Sequence, residues 1–319
     1  MKYAAGVDVG GTNIVCGLMD ETGKVLIKRK YPTAPEKGSR LILEGIAAVL
    51  EELRAEIGIS TEDLEVVGLG IPGLVDPEAG MSIRAVNVQW QQVPVVSELQ
   101  RMMGKPVYID NDVRMYAYGE AVAGAGRGHD YVYGITIGTG LAAAFVERGE
   151  IYHGHRFMAG EIGHVPMDEV SFVCNCGRMG CLETIVSATG IARQARHRLE
   201  QGQASLLKDW FPDITGIRAS DVSRACLEGD ELAKEVLEQT GKALGRALAW
   251  VVPILSPDVI VIGGGGALAG DLIFEPMKQE LNARLLQDYQ NHFAIKSAEL
   301  NDDAGIVGSA LWALHRNRK

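Results

Sequence analysis

The strongest constraint in the sequence is a pattern that occurs twice: an apolar run, a turn of glycine and short polar residues, a second run, and a hairpin turn. In the first copy residues 3–9 suit a buried strand, Gly10-Gly11-Thr12 turns, and residues 14–19 and 25–31 continue as strands about Asp20-Glu21-Thr22-Gly23. In the second copy residues 131–137 lead into Gly138-Thr139-Gly140, then residues 141–146 and the turn Glu147-Arg148-Gly149-Glu150. A duplicated body around a nucleotide cleft is the simplest reading; the plain alternative is that any two β-hairpins look alike. The 39 glycines favour the first, because they gather at strand ends, where bare backbone can turn around phosphates.

Around these copies the pattern alternates between helix and strand. Residues 39–57 read as a helix, 65–70 and 106–109 as strands, and 231–254 as a long helical stretch interrupted by Gly241 and Gly245. Residues 259–262 form a short buried strand that runs into a third glycine turn, Gly263-Gly264-Gly265-Gly266. Residues 305–315 are apolar at helical spacing and are expected to close back onto the first domain. Residues 201–216 read only as a loop between helices carrying Trp210 and Phe211, packed inward or across a subunit contact.

A chain of 319 residues can bury two cores without disulfides, and five cysteines, three of them between Cys174 and Cys181, read as metal ligands or core. Cys16 and Cys226 are expected in the core. The net charge of -10 argues against a nucleic-acid partner. Asp8 falls where a signal peptide needs its apolar region, and no run reaches membrane-spanning length, so a cytoplasmic protein is expected.

Three clusters carry chemistry. Asp8-Val9-Gly10-Gly11-Thr12-Asn13 offers bare amides and a hydroxyl to phosphates and a carboxylate that can face magnesium through water, which fits ATP; plain turn chemistry is the alternative. Asp110-Asn111-Asp112 ends a strand, where open α/β sheets bind ligands; Asp112 can accept a hydroxyl proton while Asn111 bonds neighbouring hydroxyls, and an Asp/Asn turn or helix cap is the alternative. His164 with Cys174, Cys176 and Cys181 offers one imidazole and three thiolates to a tetrahedral, structural zinc, against buried free thiols. Glu161 and Glu183 flank that set and can bond sugar hydroxyls, or they are surface acids.

With these residues in place the chain resembles the ROK family, particularly its bacterial glucokinase-like members. The resemblance covers nearly the whole chain and rests on Asp8 to Asn13, Gly70-Ile71-Pro72-Gly73, Asn111-Asp112, Gly138-Thr139-Gly140, Gly160-Glu161-Ile162-Gly163-His164, the Cys174 to Glu183 box and the Gly263 to Gly266 turn. It implies the actin-like, ribonuclease-H-like ATPase fold, with two α/β domains around a central cleft: a smaller one of residues 1–112 and 305–319, and a larger one of residues 113–304. It implies transfer of the γ-phosphoryl group of magnesium-ATP to a hexose, usually at the 6-hydroxyl, with Asp112 as base. Gly73, Asn111, Asp112, Glu161, His164 and Glu183 would hold the sugar, and His164, Cys174, Cys176 and Cys181 the zinc. Asp8, Gly10, Gly11, Thr12, Asn13, Gly138, Thr139 and Gly140 would serve the phosphates, and Gly264 with Gly265 the adenosine. A homo-oligomer, dimer or tetramer, is expected.

Two stretches depart from the family's pattern. Leu141-Ala142-Ala143-Ala144 follows the second glycine turn in place of further glycines, and Asn87-Val88-Gln89-Trp90 replaces an asparagine, proline, glycine and tryptophan arrangement. Glucose is the leading acceptor; glucosamine, N-acetylglucosamine, N-acetylmannosamine, mannose and fructose are alternatives. From another class, a sugar-responsive repressor would need a DNA-binding domain before Asp8, and a non-catalytic sugar binder is at odds with intact Asp8, Asn111 and Asp112.

Overall fold

The computed structural model describes residues 2–168 and 170–319. The first copy of the pattern folds as β1 (Tyr3–Val9), β2 (Asn13–Asp20) and β3 (Val25–Pro32), an antiparallel meander. Helix α1 (Gly38–Glu56) follows and carries β4 (Leu64–Ile71) back parallel to β1. A ribbon of β5 (Leu74–Asp76), β6 (Met81–Ala85) and β7 (Trp90–Val93), unforeseen in the sequence, precedes α2 (Val95–Met103) and β8 (Val107–Asn111), which pairs parallel with β4. The sheet order is β3-β2-β1-β4-β8.

The second copy opens after α3 (Asp112–Val122) with β9 (Tyr131–Ile137), β10 (Leu141–Glu147) and β11 (Glu150–Ile151). There follow α4 (Ala188–Glu200), α5 (Leu206–Trp210), α6 (Ala219–Leu227), α7 (Glu231–Leu255), β12 (Val259–Gly263), α8 (Asp271–Arg284), β13 (Ala294–Ser297) and α9 (Ala304–Asn317). Its sheet order, β11-β10-β9-β12-β13, repeats that of the first, strand for strand. Among the described residues no helix is long and apolar enough to cross a membrane.

Two compact units result: Met1–Gly134 with Ala144–Ala159 and Ala298–Lys319, and Ile135–Ala143 with Gly160–Ser297. Residues 113–134, 144–159 and 298–304, placed by the sequence reading in the larger domain, group with the first unit. The reason is that α3 packs along α9, which itself lies on β1 and β4. In this unit α1 presents Ile42, Leu43, Ile46, Leu50 and Leu53 as one apolar stripe to the sheet, each worth about 1.5–3 kcal/mol of burial before the entropy of ordering is counted. Glu120, buried on α3, accepts the amides of Ala125, Glu299, Leu300 and Asn301, and so ties the entry into α9 to α3.

Three readings of the sequence are corrected. Helix α7 runs through Gly241 and Gly245 without interruption; a Cβ at either would stand 2.4–2.5 Å from carbonyls of Ile273 and Met277 on α8, so these glycines serve helix–helix contact. Residues 201–216 are not all loop, since α5 forms there with Leu207 buried, and the Arg224 guanidinium covers the Trp210 ring at 4.2 Å. Cys226 is half-buried, whereas Cys16 is fully in the core.

The α3–α9 contact depends on Gly308, where an added Cβ would lie 1.8 Å from the carbonyl oxygen of Met115. Gly308→Val should therefore cost about 3 kcal/mol of stability. Thermal or urea unfolding checks this, and a loss below about 1 kcal/mol would contradict the close docking of the two helices.

Candidate functional site

In the first unit the parallel register places Asp8, Gly70 and Asp110 side by side on β1, β4 and β8. A Cβ on Gly70 would meet the Cα of Asp112 at 3.2 Å, so its glycine leaves room for α3 to start directly at the strand end. Asn111 is the cap of that helix: its Oδ1 accepts the amides of Val113 (3.0 Å) and Arg114 (3.2 Å). The Asn111 Nδ2 donates to Asp112 Oδ1 (2.9 Å) and to the Gly73 carbonyl (3.1 Å), and the Val113 amide adds a second bond to Asp112 Oδ1 (2.9 Å).

The capping role weighed for this motif thus falls to Asn111. Asp112 is held by one oxygen, with Oδ2 left over. Burial raises the proton affinity of Asp112 despite the Val113 amide and the Arg114 charge. Asp8 is pushed up to about 7, by burial first and by the charge of Asp112 second, with Lys30 opposing. Two carboxylates in one desolvated place are a site that invites a cation or a proton.

The first glycine turn is closed by the Gly10 amide on the Asn13 carbonyl (2.9 Å) and clamped by Thr33, just after β3, whose hydroxyl donates to Gly10 O (2.6 Å). Thr12 is exposed at its tip, and Gly11 approaches Asn87 so closely that a Cβ would lie 3.0 Å from that side chain. Gly73 has φ of +82°, and a Cβ there would meet the Arg84 carbonyl at 2.3 Å. The first unit therefore gathers Asp8, the turn from Gly10 to Asn13, Gly73, Asn111 and Asp112.

In the second unit the Gly138–Gly140 turn is tied to the start of α4. The Ala188 amide donates to Gly138 O (2.8 Å) and the Thr189 hydroxyl to Thr139 O (2.6 Å). Ser187 caps α4 through the Gly190 amide (3.0 Å), and the partial positive charge of that helix end lies beside the turn. Gly264 and Gly266 abut the end of β9, where a Cβ would meet Ile137 at 2.6 and 2.5 Å, while Gly265 faces open space. The second and third glycine turns are thus neighbours.

His164, Cys174, Cys176 and Cys181 bring their ligand atoms within 4.8 Å of one another. Cys176 Sγ and Cys181 Sγ are 3.6 Å apart, and Cys174 Sγ and His164 Nδ1 3.7 Å, close to the edge of about 3.8 Å that a tetrahedron with zinc–sulfur bonds of about 2.3 Å requires. The donor chemistry agrees: the Arg178 amide lowers the Cys176 thiol to about 6, while burial pushes Cys174 and Cys181 up, so that a cation is what would bring those two to thiolate. The set fits zinc.

The acids flank this cluster as the spacing predicted. His164 Nε2 lies 3.8 Å from Glu161 and Nδ1 3.8 Å from Glu183, and the Cys174 thiol donates to Glu183 Oε1 (2.8 Å). Glu161 is exposed; Glu183 is not, and a Cβ on Gly140 would stand 3.0 Å from its Oε2, so the second glycine turn passes close to that carboxylate.

Sequence reasoning missed a buried network behind Asn111. Asp110 forms an ion pair with the Arg114 guanidinium (3.0 Å) and hydrogen bonds with His153 Nε2 (2.6 Å) and the Asn111 amide (2.7 Å). An arginine in the first turn of a helix, next to an acid three residues before the helix interior, was its available signal.

Two five-stranded sheets of one repeated strand order, each with glycine turns at strand ends, define the actin-like ATPase class. The family model for ROK proteins matches residues 4–316, and the chain belongs to the ROK family. It is 37% identical over 308 residues to a glucokinase of Halalkalibacterium halodurans, spanning 96% of this chain and 93% of that one. A Streptomyces griseus ROK glucokinase, solved with glucose and AMPPNP, superposes with a TM-score of 0.80 at 30% identity, covering 98% and 99% of the two chains. The repressor Mlc of Escherichia coli is 28% identical over 299 residues, 93% of this chain and 72% of the repressor.

Purified protein should carry about one zinc per chain, and Cys181→Ser should lose it along with several degrees of thermal stability. Metal analysis and melting curves check this; a zinc-free protein that melts and turns over like the parent would contradict the assignment.

Proposed function

We propose that the protein is an ATP-dependent glucokinase that phosphorylates the 6-hydroxyl of glucose with Asp112 as general base. The observation that carries this reading is Asp112 itself. It sits at a strand end beside Asp8 of the first glycine turn, one oxygen is oriented by Asn111 and Val113, and burial raises its affinity for a proton. The glucokinase relatives supply the identity of the sugar.

Phosphoryl transfer asks a protein mainly for positioning and charge stabilisation. The hydroxyl oxygen bonds to the γ-phosphorus as its proton passes to Asp112 Oδ2. The bond from that phosphorus to the bridging oxygen breaks, and ADP leaves with the electron pair. Gly10, Gly11, Thr12, Asn13, Gly138, Thr139 and Gly140 serve the phosphates, the last three supported by the start of α4. Gly264 and Gly265 serve adenosine. Asp8 would meet magnesium through water, and that ion would supply neutralisation of the phosphate charge.

Gly73, Asn111, Glu161, His164 and Glu183 hold the sugar. His164, Cys174, Cys176 and Cys181 hold a structural zinc with no open position. His164 would bind the zinc through Nδ1, the nitrogen beside Cys174, and Nε2 would then carry the proton and could donate it to a sugar hydroxyl. The protein acts in the cytoplasm as a homo-oligomer.

Coupled ADP release with magnesium-ATP against glucose, glucosamine, N-acetylglucosamine, N-acetylmannosamine, mannose and fructose tests this reading. Glucose should be the best acceptor, and Asp112→Asn should lose at least about 10²-fold in kcat while still binding glucose. Turnover retained by Asp112→Asn would remove the base assignment. No turnover on any sugar by zinc-loaded protein would favour the regulatory role of the repressor relatives.

A further inference from the structure

We infer that Arg114 and His153 are positioning residues for phosphoryl transfer: through the buried carboxylate of Asp110 they fix the strand end that carries Asn111 and Asp112. The inference rests on the reading of Asp112 as the base. It adds residues that neither the glycine turns nor the sugar-contact set contains.

Asp110 has no exposed surface, and an uncompensated carboxylate in such a place is strongly unfavourable. Its compensation is specific. Oδ1 accepts the Asn111 amide and lies 3.0 Å from Arg114 Nη1 as an ion pair, and Oδ2 meets His153 Nε2. Arg114, 5% exposed, lies in the first turn of α3, where the helix end repels a cation, so its placement there depends on Asp110. Its other nitrogen, Nη2, donates to the Phe157 carbonyl at 2.9 Å.

His153 is fixed in turn. Its ring meets Phe157 edge-on at 5.7 Å and tilts against Trp312 of α9 at 6.1 Å. The end of β8, the segment after β11 and α9 therefore converge on one carboxylate. That carboxylate is a single residue away from Asn111, whose side chain is already spent on capping α3 and on holding Asp112 Oδ1. Any displacement of Asp110 passes to Asp112, and a misplacement of about 1 Å can cost about 10²-fold in rate.

Arg114 has a second effect, because its charge opposes the rise in proton affinity that burial imposes on Asp112. The charged groups around Asp112 are Arg114 from α3 and Asp8 from β1, with Lys30 of β3 acting on Asp8.

The test compares the full-length parent with His153→Ala, His153→Gln, Arg114→Lys and Arg114→Met, measuring kcat, KM for glucose and for magnesium-ATP, the pH–rate profile and Tm. His153→Ala should lose about tenfold or more in kcat with KM changed less than about twofold, and His153→Gln, which can still donate to Asp110, should recover most of it. Arg114→Met should move the acid limb of the pH–rate profile upward, and Arg114→Lys, which keeps the charge but not the fork, should leave the limb in place while lowering kcat. A lowered Tm with parental kcat, KM and pH profile would reduce the network to a structural ion pair and overturn the inference. If Arg114→Met does not fold, the two His153 variants decide the matter alone. A parent inactive on every sugar would overturn the kinase reading, and this inference with it, whereas an active parent with unaffected variants would overturn the inference only.

Discussion

The first unit is organised by the need to hold negative charge at the ends of β1 and β8. Asp8, Asp110 and Asp112 crowd one region of low polarity, and each is handled differently. Asp110 is neutralised internally by Arg114 and His153. Asp112 keeps one oxygen bonded and has its proton affinity raised; Asp8, also raised, is left for a cation from outside. This division separates a carboxylate that builds the strand end from one that can take a proton and one that can meet a phosphate-bound metal. The docking of α9 through Gly308 and the anchoring of residues 299–301 by Glu120 keep the sheet and α3 in the register that this arrangement requires.

The second unit solves a complementary problem with a metal-ligand cluster in place of an ion-pair network. Residues 174–181 form a tight knuckle in which the Gly177 amide returns to the Cys174 carbonyl and the Cys174 amide to the Arg178 carbonyl. The knuckle, with His164, fixes Glu183 against Gly140, and the Ser187 hydroxyl reaches back to the Glu183 carbonyl as it caps α4. The carboxylate that would contact the sugar and the helix end that would face phosphate are thereby set by adjacent turns of chain.

Much of this was legible in the sequence because it is local. The repeated strand and glycine pattern at residues 7–12 and 135–140 pointed to a duplicated body, and two sheets of the same order carry it; His164 with three crowded cysteines pointed to the cluster that these four ligands form. What escaped depends on contacts between distant segments. His153 meets Asp110 across 43 residues, and nothing in the composition of residues 150–157 announces it. Gly241 and Gly245 read as breaks because propensity disfavours glycine in a helix; packing against α8 overrides that preference. The boundary between units shifted for the same reason, as α3 follows its contact with α9 and not its place in the chain.

The central claim is that Asp112, a half-buried carboxylate of raised proton affinity, accepts the hydroxyl proton. The most direct test is the pH dependence of kcat/KM for glucose at saturating magnesium-ATP. Because the base must be ionised to work, the rate should fall as pH drops, with slope one and a midpoint clearly above the ordinary aspartate value of about 3.9. A rate that stays flat down to about pH 4.5, in protein shown to remain folded there, would contradict the account.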